Sequence, residues 1–328
     1  MTTTKRRLGA EGPSVFPIAL GCMSMSGMYG PADDTTSVAA IHEAIERGVD
    51  LLDTGDFYGM GANEQLVRRA IEGRRDKVKI SVKFGALRGP DGAWLGVDGR
   101  PAAVKSFAAY SLNRLGVEVI DVYRPARLDP SVPIEETIGA IADLVKQGYV
   151  RHIGLSEVGA ETVRRAAAVH PIADLQIEYS LLSRAPEAKI FPVLRELGVG
   201  ATLYGALSRG LLGGRTPTGA SDFRAYLPRF SGENRAKNDA LVAKLAAFAE
   251  ARGQTPAETA IAWVLAKQPD FVPLVGARTP AQVASMVKAL ERPLSSAEVA
   301  ELEGLVPVGA AAGTRYAEAQ MAHLDSEG

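Results

Sequence analysis

The chain has 328 residues, 46% of them hydrophobic, and a formal charge of −1, which allows a core for one or two domains and gives no reason to expect a nucleic acid or other polyanion as partner. A single cysteine excludes an intrachain disulfide and fits a reducing compartment. The polar start lacks the apolar stretch of a signal peptide, and no apolar run approaches the roughly 20 residues that span a bilayer, so the expectation is a cytoplasmic protein with no membrane partner.

Taken in order, residues 5–16 read as a small hairpin turning at 9–13, and 15–20 as a first strand. A loop rich in glycine and methionine covers 21–30. Asp33 or Asp34 caps a helix whose apolar positions Val38, Ile41, Ala44 and Ile45 share one face, and Gly48 stops it. The strand carrying Asp53 follows, then a helix near 64–72 and the strand carrying Lys83. A glycine-rich loop, 85–99, leads to a helix at 101–115 and a strand at 119–123. Further helices are read at 134–146, 161–169 and 187–197, with strands at 152–155, 175–177 and 200–203. The longest irregular stretch, 205–233, precedes helices at 234–252 and 256–267. A strand at 271–274 and a helix at 281–290 come next. A last helix begins at Ser295 or Ser296, with Ser296 and Glu298 supplying its cap and N-terminal charge, and a polar, alanine-rich tail occupies 307–328.

Eight short apolar strands alternating with helices predict parallel strands with helical crossovers. Eight such units in about 300 residues fit the closed (β/α)8 TIM barrel of the α/β class, one domain over 1–328, with the N-terminal β-hairpin closing its bottom. An open doubly wound sheet ranks lower, because no G-x-G-x-x-G follows the first strand. Chemistry in such a barrel sits at the carboxyl ends of the strands, and Asp53, Lys83, Ser156, Gln176, Tyr204 and the loop at Gly276 all fall there.

Leu51-Leu52-Asp53-Thr54-Gly55-Asp56-Phe57-Tyr58 and Lys79-Ile80-Ser81-Val82-Lys83-Phe84 deliver a carboxylate, a phenol and an ammonium to neighbouring strand ends. Such a trio could make an acid of unusual strength. A free phenol, with pKa about 10, is a reluctant donor, and a nearby ammonium lowers that value. Read singly, Asp53 is a turn cap and Lys83 a strand-end charge; the order and spacing of all three favour a site.

These stretches, with Gly154-Leu155-Ser156-Glu157, Gln176-Ile177-Glu178-Tyr179-Ser180 and Ser208-Arg209-Gly210, resemble the aldo-keto reductase superfamily from about residue 5 to 305, and most resemble its bacterial pyridoxal-reductase branch. The resemblance implies NADPH/NADP+ as cofactor, a small-molecule carbonyl substrate and no metal. It makes Tyr58 the proton donor, Lys83 the group that tunes it and Asp53 the partner of Lys83. The family usually has a histidine at the end of the fourth strand; the matching residue is Ala126, and none of His42, His152, His170 and His323 lies at that strand end. Residues two apart on a strand share a face, so Arg124, about 6.6 Å deeper, is a candidate positive charge beneath the carbonyl. It is alternatively an arginine paired with Asp53, Asp121 or another barrel acid, and a water filling the gap is a third reading.

The resemblance also places Ser156, Glu157 and Gln176 at the nicotinamide carboxamide, although Glu157 departs from the usual asparagine. Tyr204 stacks on the nicotinamide ring. Gly205, Leu207, Arg209 and Gly210 belong to the segment wrapping the pyrophosphate, with Gly205-Ala206 in place of the commoner Ser-Pro. Gly276 and Arg278 are expected at the extra phosphate. Ser285 and Met286 stand where the family's Glu-Asn pair holds adenine, and Gln282 is the substitute. Substrate contacts are expected from Met23, Tyr29, Trp94, Phe223 and Tyr226, which suit a planar or apolar aldehyde. Two other functions stay open: a dehydrogenase working toward oxidation of a sugar or pyridoxine-type alcohol, and a nucleotide-binding regulatory module with slow turnover.

Overall fold

The structure, a computed structural model, describes residues 4–217, 219, 222–321 and 324–327; His323 lies outside them. A hairpin, β1 (Arg6–Arg7) and β2 (Ser14–Val15), precedes the main sheet. That sheet is a closed barrel of eight parallel strands: β3 (Ala19–Gly21), β4 (Leu51–Gly55), β5 (Lys79–Phe84), β8 (Ile120–Pro125), β9 (Val150–Ser156), β10 (Ile172–Glu178), β11 (Gly200–Tyr204) and β12 (Val272–Gly276). The short strands β6 (Ala86–Arg88) and β7 (Trp94–Val97) form a second hairpin beside the mouth-forming end of β5. Leu8 and Val15 of the first hairpin region pack with Ala19, Leu51, Val272 and Leu274 at the starts of barrel strands, which closes the bottom.

Strand periodicity sorts the side chains. Leu52, Ile80, Val82, Phe84, Ile153, Leu155, Leu175, Ile177 and Leu203 point outward into one continuous apolar cluster beneath the helices. Asp53, Ser81, Lys83, Arg124, Asp174, Gln176 and Thr202 occupy the alternate, inward positions and are also buried. The barrel interior is therefore polar, and its stability depends on those groups satisfying one another.

The surrounding helices are α1 (Asp34–Glu46), α2 (Ala62–Ile71), α3 (Pro101–Leu115), α4 (Ile134–Lys146), α5 (Ala160–Val169), α6 (Pro186–Glu196), α7 (Gly232–Ala251), α8 (Pro256–Lys267), α9 (Pro280–Lys288) and α10 (Ser296–Leu305). Local chemistry sets many ends. The Asp33 carboxylate accepts the Thr36 N–H at 2.7 Å, and Thr255 with Glu258 forms a reciprocal capping box at α8. At α10 the cap is Ser295, not Ser296, again paired with Glu298.

The sequence reading needs three corrections. The expected strand 15–20 is split into β2 and β3, with Pro17, which lacks an N–H, between them. The expected loop 85–99 contains the β6–β7 hairpin; Trp94 and Leu95 are exposed, so no apolar alternation marks it. Strands β8 and β10 are longer than predicted because buried Asp121, Arg124 and Asp174 interrupt their apolar runs.

Beyond α10 the chain turns back across the carboxyl ends of β9, β10 and β11, where Arg315 and Ser326 reach Glu157 and the Asp325 carboxylate accepts the Gly159 N–H at 2.7 Å. Among the described residues no helix is long and apolar enough to cross a membrane, and no cluster of His, Cys, Asp or Glu is arranged to hold a metal.

Candidate active site

β4 and β5 are paired so that Asp53 lies beside Ser81 and Gly55 beside Lys83. The Lys83 ammonium forms a buried ion pair with Asp53. Asp53 also accepts hydrogen bonds from Ser81 Oγ at 2.8 Å and Gln176 Nε2 at 2.9 Å, so its carboxylate is held from two other strands, β5 and β10. Tyr58 follows β4 in a tight turn whose next residues, Gly59, Met60 and Gly61, are all left-handed, which reverses the chain into α2. Lys83 Nζ sits 5.4 Å from the centre of the Tyr58 ring. Asn63 pins this turn to the first loop by donating to the Cys22 carbonyl and Ser26 Oγ.

One implication of the resemblance is corrected here. The Tyr58 hydroxyl is not made more acidic in this state: burial, then the Asp53 charge, push it well above the ordinary phenol value, while Arg127 acts in the opposite direction. Burial likewise pushes the Lys83 ammonium down, against the pull of Asp53.

Arg124 does face the barrel interior, as its parity predicts, but it does not reach the mouth. Its side chain is 0% exposed, and Nη1 pairs with Asp174 at 3.0 Å and meets the Leu155 carbonyl and Thr202; Nη2 donates to Ser81 Oγ at 3.1 Å. A Cβ on residue 154 would come within 3.0 Å of both Arg124 Cζ and Asp174 Oδ1, so Gly154 makes room for this pair. Arg124 thus reads as the barrel-acid alternative, with Asp174 as the acid.

The residues implied for the nucleotide divide into two groups. Ser156 is buried and lies beside Gln176 in the β9–β10 register. Ser208, Arg209 and Gly210 are three consecutive left-handed residues following Gly205 and Leu207, and the Ser208 and Gly210 N–H groups donate to the Gly205 and Leu207 carbonyls. Gly276 ends β12, and Thr279 caps α9 with the Gln282 N–H while the Gln282 side chain accepts the Arg278 N–H at 2.9 Å. The start of α9, just beyond the end of β12, is the element of this group whose N-terminal N–H groups fit a nucleotide phosphate.

The other group is engaged elsewhere. The Glu157 carboxylate takes a forked pair of hydrogen bonds from Arg315 at 2.9 and 2.6 Å, one from Ser326 and one from the Glu178 N–H. Arg209 pairs with Glu178 at 3.0 Å and stacks on Tyr316 at 4.2 Å. Arg278 donates to the carbonyls of Tyr29, Gly30 and Pro31, holding the first loop rather than standing free. Tyr204 remains at the mouth, with its hydroxyl 3.3 Å from that of Tyr316. Met286 is buried in the core, and Ser285 Oγ meets Glu258.

Of the substrate candidates, Tyr29 and Phe223 meet across the first and seventh loops, 5.5 Å apart. Met23 is half-buried in the same first loop. Trp94 lies on the second hairpin against the Arg88 guanidinium, and Tyr226 is 69% exposed. Sequence reasoning missed Arg127, Arg315 and Tyr316. Arg127 Nη2 donates to the Tyr316 hydroxyl at 3.3 Å and Nη1 to the Ala126 carbonyl at 2.7 Å.

Asp56 adds a titrating group behind the Tyr58 turn. Its Oδ2 accepts the Gly85 N–H at 3.2 Å, its Oδ1 is buried without a partner, and burial pushes its carboxyl up from 3.8 to about 7. A raised folded pKa stabilises fully below the unfolded value and loses that stabilisation as pH rises through about 7. Replacement Asp56→Asn is therefore expected to flatten the fall in melting temperature between about pH 4 and about pH 7, read by scanning calorimetry.

The chain is a closed parallel barrel with a buried ammonium–carboxylate pair beside a phenol at the carboxyl ends of its strands. The chain belongs to the aldo/keto reductase family, whose model matches residues 17–307, and is therefore an oxidoreductase. It is 41% identical over 319 residues to probable aldo-keto reductase 1 of Glycine max, covering 94% of this chain and 91% of that protein. Among solved structures it is similar to a glycerol dehydrogenase from Gluconobacter oxydans, at 29% identity and TM-score 0.83 over 93% of this chain and 95% of that one. It is also similar to the holo form of an aldo-keto reductase from Bacillus halodurans, with 29% identity, TM-score 0.79 and coverage of 94% and 97%. A Klebsiella pneumoniae aldo/keto reductase in complex with NADP and acetate matches at 26% identity and TM-score 0.75, covering 95% and 99%.

Proposed function

We propose that this chain reduces an aldehyde or ketone to the alcohol with NADPH, Tyr58 donating the proton while Lys83 and Asp53 hold its environment. The observation that carries this reading is the Lys83 ammonium placed between the Asp53 carboxylate and the Tyr58 ring at the barrel mouth. The neighbour solved with NADP supports the choice of cofactor. Ser156, Gln176 and Tyr204 would hold the nicotinamide, the 205–210 turn the pyrophosphate, and the start of α9 the adenosine end. When bound, the reduced nicotinamide supplies the hydride.

The chain's own part is proton management. As the carbonyl oxygen gains charge, the Tyr58 O–H bond breaks, its proton goes to that oxygen and its electron pair stays on the phenolate. Lys83 stabilises the phenolate until water reprotonates it. Arg124 positions the pair through Ser81, which donates to Asp53. Ala126, at the place where the resemblance puts a histidine, leaves a second donor to come from elsewhere. Tyr29 and Phe223 line the approach for a planar or apolar carbonyl.

The oxidative direction is the second reading, favoured by the likeness to a glycerol dehydrogenase. The two directions need opposite forms of Tyr58. Its raised pKa keeps the donor form through neutral pH, so reduction is expected to be level from about pH 6 to about pH 9, whereas alcohol oxidation, which needs phenolate, rises across that range. Steady-state rates in both directions test this. An oxidation rate that stays level with pH while reduction falls would contradict Tyr58 as the proton donor.

A further inference from the structure

Most of the cations at the mouth are held by carboxylates. Lys83 is paired with Asp53, Arg124 with Asp174, Arg209 with Glu178 and Arg315 with Glu157. Arg278 is turned to three loop carbonyls. Arg127 has no carboxylate partner among the described residues; its contacts are one carbonyl and one phenol. Of the five N–H donors on a guanidinium, those two bonds engage two, so three remain.

Its position follows from the strand end. β8 stops at Pro125, and the Ala126 N–H closes the ladder onto the Phe84 carbonyl at 2.8 Å. Beyond that point strand alternation no longer directs side chains outward, and Arg127 turns over the mouth toward Tyr316. The Tyr316 hydroxyl in turn meets that of Tyr204, and the tail holding Tyr316 is fastened by the Arg315–Glu157 pair. The Arg127 charge opposes the rise in proton affinity that burial and Asp53 impose on Tyr58, and it adds to the lowering that burial imposes on Lys83.

We infer that Arg127 is a catalytic residue: its free N–H groups bind the substrate carbonyl oxygen to which Tyr58 gives its proton, and Tyr316 positions the guanidinium. Negative charge developing on that oxygen meets a fixed cation in a site with little water, where such a donor contributes most. This rests on the reading of the chain as a carbonyl reductase.

The test compares wild-type, Arg127→Met and Arg127→Lys proteins on benzaldehyde and on 2-carboxybenzaldehyde, with NADPH affinity read separately by fluorescence. Expected for Arg127→Met is a fall in kcat of about 100-fold or more on both aldehydes, with melting temperature and NADPH affinity unchanged and partial recovery on adding guanidinium chloride at millimolar levels. Arg127→Lys should recover only part of the rate, because one ammonium replaces a fork. If Arg127→Met keeps wild-type kcat on benzaldehyde and raises KM only for the carboxylated aldehyde, Arg127 binds substrate anions instead and the inference is overturned. If the wild type binds NADPH yet reduces neither these nor other carbonyls, the reductase reading fails and takes this inference with it.

Discussion

Replacing Tyr58 by phenylalanine is expected to lower kcat for carbonyl reduction by about 10³-fold, within the range for loss of a positioned proton donor. NADPH binding should change by less than about threefold, since the lost hydroxyl contacts the reacting oxygen alone. The substitution keeps the ring, and therefore the edge contact with Phe57 at 4.8 Å and the packing over Lys83. Removing Lys83 instead would leave the Asp53 carboxylate buried with only Ser81 and Gln176 as partners, and would mix a folding defect into the rate. For that reason the phenylalanine variant is the cleaner probe. A Tyr58→Phe protein retaining more than about a tenth of wild-type kcat would place the proton donor elsewhere.

The second large effect concerns stability. Arg315→Met is expected to cost about 3–5 kcal/mol, because it leaves the fully buried Glu157 carboxylate without its cation. Thermal unfolding should shift down by roughly 5–10 °C. Burial pushes the Glu157 carboxyl up, but the Arg315 bonds and charge outweigh it and hold the group down at about 2, from 4.5. A depressed folded pKa gives stabilisation that is present above the unfolded value and lost as pH falls through the folded one. The wild type should therefore lose this contribution between about pH 4.5 and about pH 2, and the variant should show a shallower acid loss over that window. Because the same tail carries Tyr316, the variant should also lose part of the rate that Arg127 supplies. An unchanged melting temperature would mean that the tail is not fastened at Glu157.

Much of the frame was legible in the chain because its signals are local. Helices α3, α4 and α8 match the reading residue for residue, with Pro101 and Pro256 opening α3 and α8 and Gly116 closing α3 in the left-handed region. Asp53, Lys83 and Tyr58 were recognisable from order and spacing within one β–α–β unit. The interior of the barrel was less legible: the parity of Arg124 was right, but its acid, Asp174, lies 50 residues on and two strands over. The tail was not legible at all. Arg315 meets Glu157 across 158 positions, and an alanine-rich composition carries no period that would announce it. Arg127 escaped because strand parity ends at Pro125, one turn before its side chain matters.

The most direct measurement is the absorbance of reduced nicotinamide over time when the wild-type protein is mixed with NADPH and an aromatic aldehyde, with the alcohol quantified in the same sample. Loss of absorbance matched mole for mole by alcohol is the expected result. Tight binding of NADPH with no loss of absorbance across a broad set of aldehydes and ketones would contradict the account, and would leave a barrel that holds the nucleotide without using it.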